Sequence, residues 1–286
     1  MTTDYKLRTT KKKTAIVLSA GYFGFFAHAG FMRAVEETGI DYCAISGSSA
    51  GAIVAALHAS GVPAAEIIET LLTIRKKDFW DSHGVTNILS ALVKRGRGWG
   101  GLLKGNLFER LIDNRLRVKT FAECPRNLYL TAFNLTRGLD ETFASGTIAD
   151  KVRASCSYPF LMTPRVIDGC EYWDGGFLAK TPFETMVAQE QPERLIIHYL
   201  PTREDERSLG ERNWTAFAML EKALTAARKE IEQHRINALG EMKEKIVWIE
   251  PAVPQLAPDK LEQGREAIEA AYQFGLEQLS KLKQEK

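Results

Sequence analysis

Two short apolar runs near the start of the chain, each followed closely by a helical pattern, restrict the fold more than any other feature. The first is TAIVLS, residues 14–19, and the second is YCAIS, residues 42–46. Each is short, apolar and bounded by turn residues, as a buried strand is. FFAHAGFMRAVEETG follows the first run, and SAGAIVAALHAS follows the second. Strand, helix, strand and helix with short links predict βαβ units and an α/β fold with a mainly parallel sheet flanked by helices.

The first run also belongs to a longer apolar segment, residues 14–32, that holds no Asp, Glu, Lys or Arg and follows a basic stretch. That pattern is shared by signal peptides and transmembrane spans. Glycines interrupt this segment, however, and it contains the polar residues Ser19 and His28. We therefore expect a buried strand, a glycine turn and a helix.

The remaining sequence suggests three parts. Residues 1–13 are polar and basic, and we expect a flexible arm. Strand and helix patterns continue to ERLIIHYL, residues 193–200, which places an α/β domain at residues 14–205. Long amphipathic helices follow, so residues 206–286 are predicted to form a helical C-terminal extension packed on the domain.

The last helical segment carries an apolar stripe with a period of seven, beside which lie Tyr272 and Leu279. Its members are Leu261, Ile268, Gly275 and Leu282. A stripe of this kind indicates a helix docked on its own domain, and the seam of a homodimer is the alternative.

Composition and charge argue against several classes of function. The 286 residues are 45% hydrophobic and 26% charged, the balance of an ordinary globular protein. A net charge of +2 gives no support to nucleic-acid binding. The five scattered histidines suggest no zinc site, and the cysteines form no CxxC pair. We predict reduced thiols in a cytoplasmic setting for all four: Cys43, Cys124, Cys156 and Cys170.

Ser49 lies in GSSAG, residues 47–51, which fits the pattern G-x-S-x-G. A nucleophilic serine on a sharp strand-to-helix turn needs small neighbours. The N-terminal N–H groups of the following helix favour the negative charge that develops during attack. Because glycine and serine are common, the pattern alone is weak, and a helix-capping serine on an ordinary loop is the alternative.

A serine hydroxyl needs a base that accepts its proton, and the sequence offers two solutions. An α/β-hydrolase would use a later histidine, and both His198 and His234 follow the serine. These lie in a predicted strand and on a charged helix, whereas triad histidines are usually on loops. The second solution is Asp174 in YWDGGF, because a partly desolvated aspartate accepts a proton directly. Asp-Gly is also common in hairpins, so a simple turn is the alternative.

Four segments together resemble the patatin-like phospholipases in order and spacing, over about residues 14–200. They are SAGYFGFFAHAGFMRAVEETGI, ISGSSAGAIVAAL, TFASGTIADKVRASCSYPFLMTP and YWDGGFLAKTP. The resemblance implies a three-layer patatin-like fold and a catalytic dyad, with Ser49 as nucleophile and Asp174 as base. It also implies hydrolysis of lipid acyl esters without a metal ion or an organic cofactor.

The chain departs from that family in its oxyanion loop. Patatin-like proteins usually carry G-G-G-x-[RK]-G, whereas this chain has AGYFGF at residues 20–25. The resemblance assigns the oxyanion hole to the backbone N–H groups of Gly21, Tyr22 and Phe23. Any residue but proline supplies such a donor, although Tyr22 would resist the positive φ that glycine permits. One misplaced donor costs about 2.7–4 kcal/mol in the transition state.

The aromatic residues of this loop admit two interpretations. Large aromatic side chains dominate protein cores, so we expect Tyr22, Phe23, Phe25 and Phe26 to pack in the core. The alternative is that they line an acyl pocket.

We expect acyl esters of glycerolipids as substrates, reached by transient contact with the inner membrane surface. The segment KRGRGWGGLLKG, residues 94–105, combines basic residues with Trp99 and leucines, and Lys11–Lys13 adds charge. Each basic residue near anionic lipid contributes about 1 kcal/mol, although a solvated loop is equally consistent with this composition. The altered oxyanion loop motivates a further alternative, a non-catalytic lipid-binding or regulatory protein.

Overall fold

The computed structural model describes residues 13–83, 100–201, 216–254, 256 and 263–284. Two predictions therefore concern segments that lie wholly or partly outside the described residues. They are the basic arm, of which only Lys13 is described, and the 94–105 segment, whose residues 94–99 are not described.

Strands and helices alternate along the described chain. Before residue 84 these are β1 (Thr14–Leu18), α1 (Phe25–Thr38), β2 (Ala44–Ser48), α2 (Ala50–Ala59), α3 (Ala64–Thr73) and α4 (Lys76–Phe79). Residues 100–201 form β3 (Gly101–Leu103), α5 (Asn106–Arg115), β4 (Asn127–Asn134), β5 (Leu139–Phe143), α6 (Ala149–Ser155), β6 (Phe160–Met162), β7 (Arg165–Ile167), β8 (Cys170–Trp173), α7 (Glu184–Glu190) and β9 (Arg194–His198). The last are α8 (Ala216–Ala238), β10 (Ile246–Ile249) and α9 (Gly264–Gln284).

Eight of the described strands form one sheet, in the order β10-β9-β1-β2-β4-β8-β7, with β5 paired to β4. The five strands from β10 to β4 run parallel. β5 and β8 are antiparallel to β4, and β7 is antiparallel to β8. The carboxyl ends of the parallel strands therefore share one edge, where ligands bind in open α/β sheets.

β1 shows why the structure has three layers. Ile16 and Leu18 belong to a core cluster with residues of α1, α2, α3 and α9. Ala15 and Val17 belong to a second cluster with residues of α7 and α8 on the other face. A parallel strand covered on both faces reads as a continuous apolar run, which is the pattern of TAIVL. The α/β fold predicted from the sequence is confirmed.

The apolar segment at residues 14–32 resolves as predicted into β1, a turn and α1. Gly39 ends α1 in the left-handed conformation, at φ 62°. In the described part of the chain, no helix has both the length and the apolar character needed to span a bilayer.

Residues 246–249 form a strand that the sequence patterns did not predict. The sequence indicated only long helices in this region, but IVWI forms β10 and pairs in parallel with β9. A four-residue run is too short for a period-two pattern to stand out, and its partner strand supplies the hydrogen bonds that define it. The chain beyond residue 206 thus contributes to the central sheet, and a domain boundary near residue 205 stays a prediction.

The apolar stripe of α9 is used within the chain. Ile268, Tyr272 and Leu279 are buried in the core cluster that includes α1. The Tyr272 hydroxyl donates to Glu37 at 2.6 Å, and Arg33 lies 4.1 Å from the centre of the Tyr272 ring. These contacts favour the docked-helix interpretation over the dimer seam.

Candidate active site

Ser49 occupies a strained turn between β2 and α2. Its backbone has φ 51° and ψ −117°, a region that residues with a side chain rarely adopt. Strain of this kind persists only where the surroundings enforce it, and it is concentrated at functional sites. The turn leaves the Ser49 side chain half-buried at the N-terminus of α2. The local prediction of a strand, a sharp turn and a helix is therefore confirmed.

The two glycines of G-x-S-x-G are required by close packing. A Cβ atom on Gly51 would come within 2.2 Å of the Leu18 carbonyl oxygen, and one on Gly47 within 2.5 Å of the Gly51 oxygen. Both distances are far shorter than van der Waals contact. The motif thus lets α2 begin directly against β1 and β2.

Asp174 follows the last residue of β8 and is held by the loop after α6. Its backbone N–H donates to the Ser157 oxygen at 3.0 Å, and the Gly175 N–H donates to the Ser155 oxygen at 3.0 Å. A side chain on Gly175 would meet the Thr131 oxygen at 2.1 Å. The Asp-Gly-Gly turn is therefore fixed from two sides.

Ser49 and Asp174, 125 residues apart in sequence, are in direct contact. The Ser49 hydroxyl donates to Asp174 Oδ2 at 2.6 Å. The other carboxylate oxygen, Oδ1, accepts the Gly176 N–H at 2.8 Å. The carboxylate thus has one oxygen held by the backbone and the other directed at the serine.

Burial gives Asp174 an unusual proton affinity. The residue is 5% exposed. Desolvation raises the pKa of its carboxyl from 3.8 to about 6, and hydrogen bonds from Ser49 and Gly176 and the charge of Arg228 oppose that rise. A carboxylate with a pKa near 6 is ionised at neutral pH and is more basic than an exposed one.

The sequence analysis missed two side chains that hold the Ser49 backbone. Ser155 Oγ accepts the Ser49 N–H at 2.9 Å and donates to the Thr131 oxygen at 2.6 Å. The Cys156 thiol donates to the Ser49 carbonyl at 3.3 Å. Both residues lie at the C-terminal end of α6, within the family-like segment RASCSYP, and that segment was the only signal available.

The predicted oxyanion loop forms a tight turn between β1 and α1. The Gly24 N–H donates to the Gly21 oxygen at 2.9 Å, and Phe23 takes the positive φ, 52°. The strain therefore falls on Phe23 and not on Tyr22. In the described structure, neither Gly21 nor Phe23 donates its N–H to a protein acceptor. The loop lies beside the Asp-Gly-Gly turn, because a Cβ on Gly176 would come within 2.6 Å of the Ala20 Cβ.

The aromatic residues of this loop do not behave alike. Phe26 is buried in the core, and Phe23 and Phe25 pack against it while half-buried. Tyr22 is 61% exposed and lies 6.3 Å from the Tyr158 ring, centre to centre. The prediction of core packing is confirmed for Phe26 and wrong for Tyr22, because the turn directs that ring outward.

None of the five histidines hydrogen-bonds to Ser49. His198 is buried in contact with His28, with 2.7 Å between the two Nδ1 atoms. His234 lies exposed on α8. A base from either candidate histidine would require a rearrangement of the fold.

Metal ligation has no geometric support in the part of the chain that the structure covers. Among those residues, no group of three or more His, Cys, Asp or Glu side chains is arranged to hold an ion.

The family can now be named from sequence comparison. A model of the patatin-like phospholipases matches residues 16–187, more than half of the chain. This chain belongs to the patatin-like phospholipase family. The matched range begins within β1, includes the Ser49 turn, α6 and the Asp174 turn, and ends before α8.

Curated relatives agree with this assignment. An uncharacterised NTE family protein of Mycobacterium bovis is 25% identical over 176 residues, covering 61% of this chain and 45% of the relative. The uncharacterised protein YqhO of Bacillus subtilis is 30% identical over 211 residues, covering 67% and 72%. Lysophospholipase NTE1 of Pyricularia oryzae is 28% identical over 174 residues, covering 60% and 11%. The chain thus spans less than half the length of the mycobacterial relative.

Among solved structures, VipD from Legionella pneumophila has a similar fold. The TM-score is 0.51 at 16% identity, and the match covers 94% of this chain and 67% of that one. At this identity the likeness concerns the fold alone.

Proposed function

We propose that this patatin-like protein is a serine acyl hydrolase in which Ser49 is the nucleophile and Asp174 the general base. The observation that carries the proposal is the 2.6 Å hydrogen bond from the Ser49 hydroxyl to Asp174 Oδ2. A nucleophile within hydrogen-bond reach of a base is the geometry that activated serines require. With its pKa raised to about 6, the Asp174 carboxyl is ionised at neutral pH and can accept a proton.

The reaction proceeds in two steps. As Ser49 Oγ attacks an ester carbonyl, its proton passes to Asp174 Oδ2, and the alcohol leaves with that proton. Water then enters, Asp174 accepts its proton, and hydroxide attacks the acyl-Ser49 ester. As the fatty acid is released, Asp174 returns that proton to Ser49 Oγ. Serine and carboxylate end in their starting protonation states, and neither metal nor cofactor takes part.

The negative oxygen formed in each step needs donors. The N–H groups at Gly21, Tyr22 and Phe23 are the proposed oxyanion hole, since those of Gly21 and Phe23 are not engaged with other described residues. The N-terminus of α2 adds its dipole beside Ser49. The positive φ of Phe23 lets the loop turn between β1 and α1 without the glycines that the family usually has there.

Acyl esters of glycerolipids are the proposed substrates. The support is family membership and the similarity to a lysophospholipase of Pyricularia oryzae. The exposed Tyr22 ring and Tyr158 lie close together beside this region and offer an apolar surface to an acyl chain. Access at a cytoplasmic membrane surface is part of the same proposal.

The altered loop favours one second candidate, lipid binding without turnover. Gly24 stands where the family usually has a basic residue, Tyr22 stands where it has the third glycine, and the neighbouring Phe23 takes the strained positive φ. That candidate predicts binding to phospholipid vesicles with no release of fatty acid.

Labelling with a fluorophosphonate separates the two candidates. Wild type should be labelled at one site, Ser49→Ala should not be labelled, and Asp174→Asn should be labelled far more slowly. Ser48→Ala is the matched control, because Ser48 is adjacent in sequence and its buried hydroxyl has no hydrogen-bond partner in the structure. Folded wild type that binds vesicles but resists the probe would favour the non-catalytic candidate.

A further inference from the structure

The turn that carries Asp174 is held from outside the family-matched range. In α8, the Arg228 Nε–H donates to the Phe177 carbonyl at 2.8 Å. The Phe177 N–H donates in turn to the Asp174 carbonyl at 3.1 Å and closes the Asp-Gly-Gly turn. Arg228 thus reaches the base through a single intervening residue.

α8 is fixed along its length by further polar contacts. Glu232, one turn after Arg228, accepts a hydrogen bond from the Thr181 hydroxyl. Arg235 lies 2.9 Å from Asp140 Oδ2 and 3.2 Å from Glu184 Oε1. These contacts set the position of the helix, so that Arg228 meets the turn at a defined place.

We infer that Arg228 is a positioning residue for the proposed dyad, holding the turn that carries Asp174 and placing a positive charge near its carboxylate. The inference rests on the proposed function. It adds the C-terminal region to the working site, although the family match ends at residue 187.

The charge has a predictable consequence. A positive charge favours the ionised carboxylate, so Arg228 holds the pKa of Asp174 lower than burial alone would. The other groups that face Asp174 are the Ser49 hydroxyl and the Cys156 thiol, whose own pKa is raised well above its ordinary value. Lys180 lies near Arg228 and shares its region of positive charge. Among these groups Arg228 supplies the cation that acts on Asp174.

Two substitutions separate the hydrogen bond from the charge. Arg228→Gln keeps an N–H donor but removes the charge, and Arg228→Lys keeps the charge but alters the donor. Arg235→Gln is the control, because it breaks a different polar contact of the same helix. The measurement is the rate of fluorophosphonate labelling of Ser49 between pH 4.5 and 8.5, with thermal melts for each variant.

We expect the acidic limb of the Arg228→Gln profile to move to higher pH by at least about 0.3 unit, which makes labelling at pH 6 at least about 1.5-fold slower. Arg228→Lys and Arg235→Gln should keep the wild-type limb. A limb that stays in place in Arg228→Gln, or that moves equally in Arg235→Gln, would overturn the inference while the dyad stands. Folded wild type that takes no label at any pH would overturn the proposed function and the inference together.

Discussion

Two polar pairs lie at the carboxyl ends of the strands on either side of β1. Next to β2, the Ser49 hydroxyl and Asp174 are 2.6 Å apart. At the end of β9, His198 and His28 are 2.7 Å apart. Distance alone does not distinguish the two pairs, yet their surroundings make them chemically different.

The histidine pair is locked in a neutral state. His28 Nε2 donates to the Ser19 carbonyl at 2.8 Å, since a carbonyl only accepts. Burial lowers the pKa of His28 to about 3 and that of His198 well below its ordinary value. His28 Nδ1 therefore accepts, and His198 Nδ1 donates. His198 Nε2 is left as an acceptor with no donor among the described residues.

The serine–aspartate pair differs from the histidine pair in exposure, in charge and in its position at a helix N-terminus. Ser49 is half-buried, whereas both histidines are fully buried. Asp174 carries a charge at neutral pH, and α2 begins beside the serine. Solvent access, charge and a helix N-terminus make the serine–aspartate pair a candidate site. The histidine pair lacks all three, and its role is to support the strand ends.

The strongest test of this contrast removes the nucleophile. Ser49→Ala should lower ester hydrolysis by at least about 10⁴-fold, because within the described ranges the Ser49 hydroxyl is the one that hydrogen-bonds to Asp174. The measurement is fatty-acid release per folded molecule. Ser48→Ala should stay within about threefold of wild type, and equal losses in both variants would mean that the turn, not the hydroxyl, was being tested.

Removing the base should have the next largest effect, with opposite signs for activity and stability. Asp174→Asn should lower kcat by about 10²–10⁴-fold, the usual contribution of a general base. Because the folded-state pKa of Asp174 lies above its unfolded value, ionisation destabilises the folded protein as pH rises from about 4 to 6. The substitution should therefore raise the free energy of unfolding at pH 7 by up to about 3 kcal/mol.

Denaturant unfolding of wild type and Asp174→Asn at several pH values checks that sign. The gain should disappear below about pH 4, where the aspartate is neutral in both states. A variant that loses activity and also becomes less stable at pH 7 would indicate a structural role for Asp174.

The pH profile of wild type should show one acidic limb, near pH 6. Below it, kcat/KM should fall about tenfold for each pH unit as Asp174 is protonated. The histidine pair cannot supply that limb, because both histidine pKa values are lowered far beneath it. A limb that persists in Asp174→Asn would assign the base to another group.

The sequence pointed to the two members of the proposed dyad because each lies in a short local motif. GSSAG and YWDGG encode sharp turns at the ends of β2 and β8. β8 runs antiparallel to β4, and the turn after it lies against Thr131, the β4 residue that pairs with Ser48. The residues that hold these two turns are not marked by any local sequence motif. Ser155 acts through its position between Ser49 and β4, and Arg228 is one basic residue among several on α8. Only the folded chain shows which side chains they reach.

The backbone conformation of the oxyanion loop was also not predictable from local sequence. The sequence located it from a resemblance and expected Tyr22 to be the difficult residue, yet the positive φ falls on Phe23. Where a turn places its strain depends on what the flanking elements require, here β1 and α1. β10 was missed for a similar reason, because a short edge strand is defined by its neighbour β9.

Substitution of His198 should have the smallest effect on activity. This test separates the roles of the two pairs most sharply. His198→Leu removes the donor to His28 Nδ1 and should cost about 1–3 kcal/mol of stability. His198→Asn should cost less, because its amide nitrogen lies close to where Nδ1 was and still donates. Both variants should keep activity per folded molecule, counted by fluorophosphonate titration, within about threefold of wild type. A histidine base predicts the reverse: near-complete loss of activity in both His198 variants, with Asp174→Asn still active. The same titration therefore decides which of the two pairs carries out the reaction.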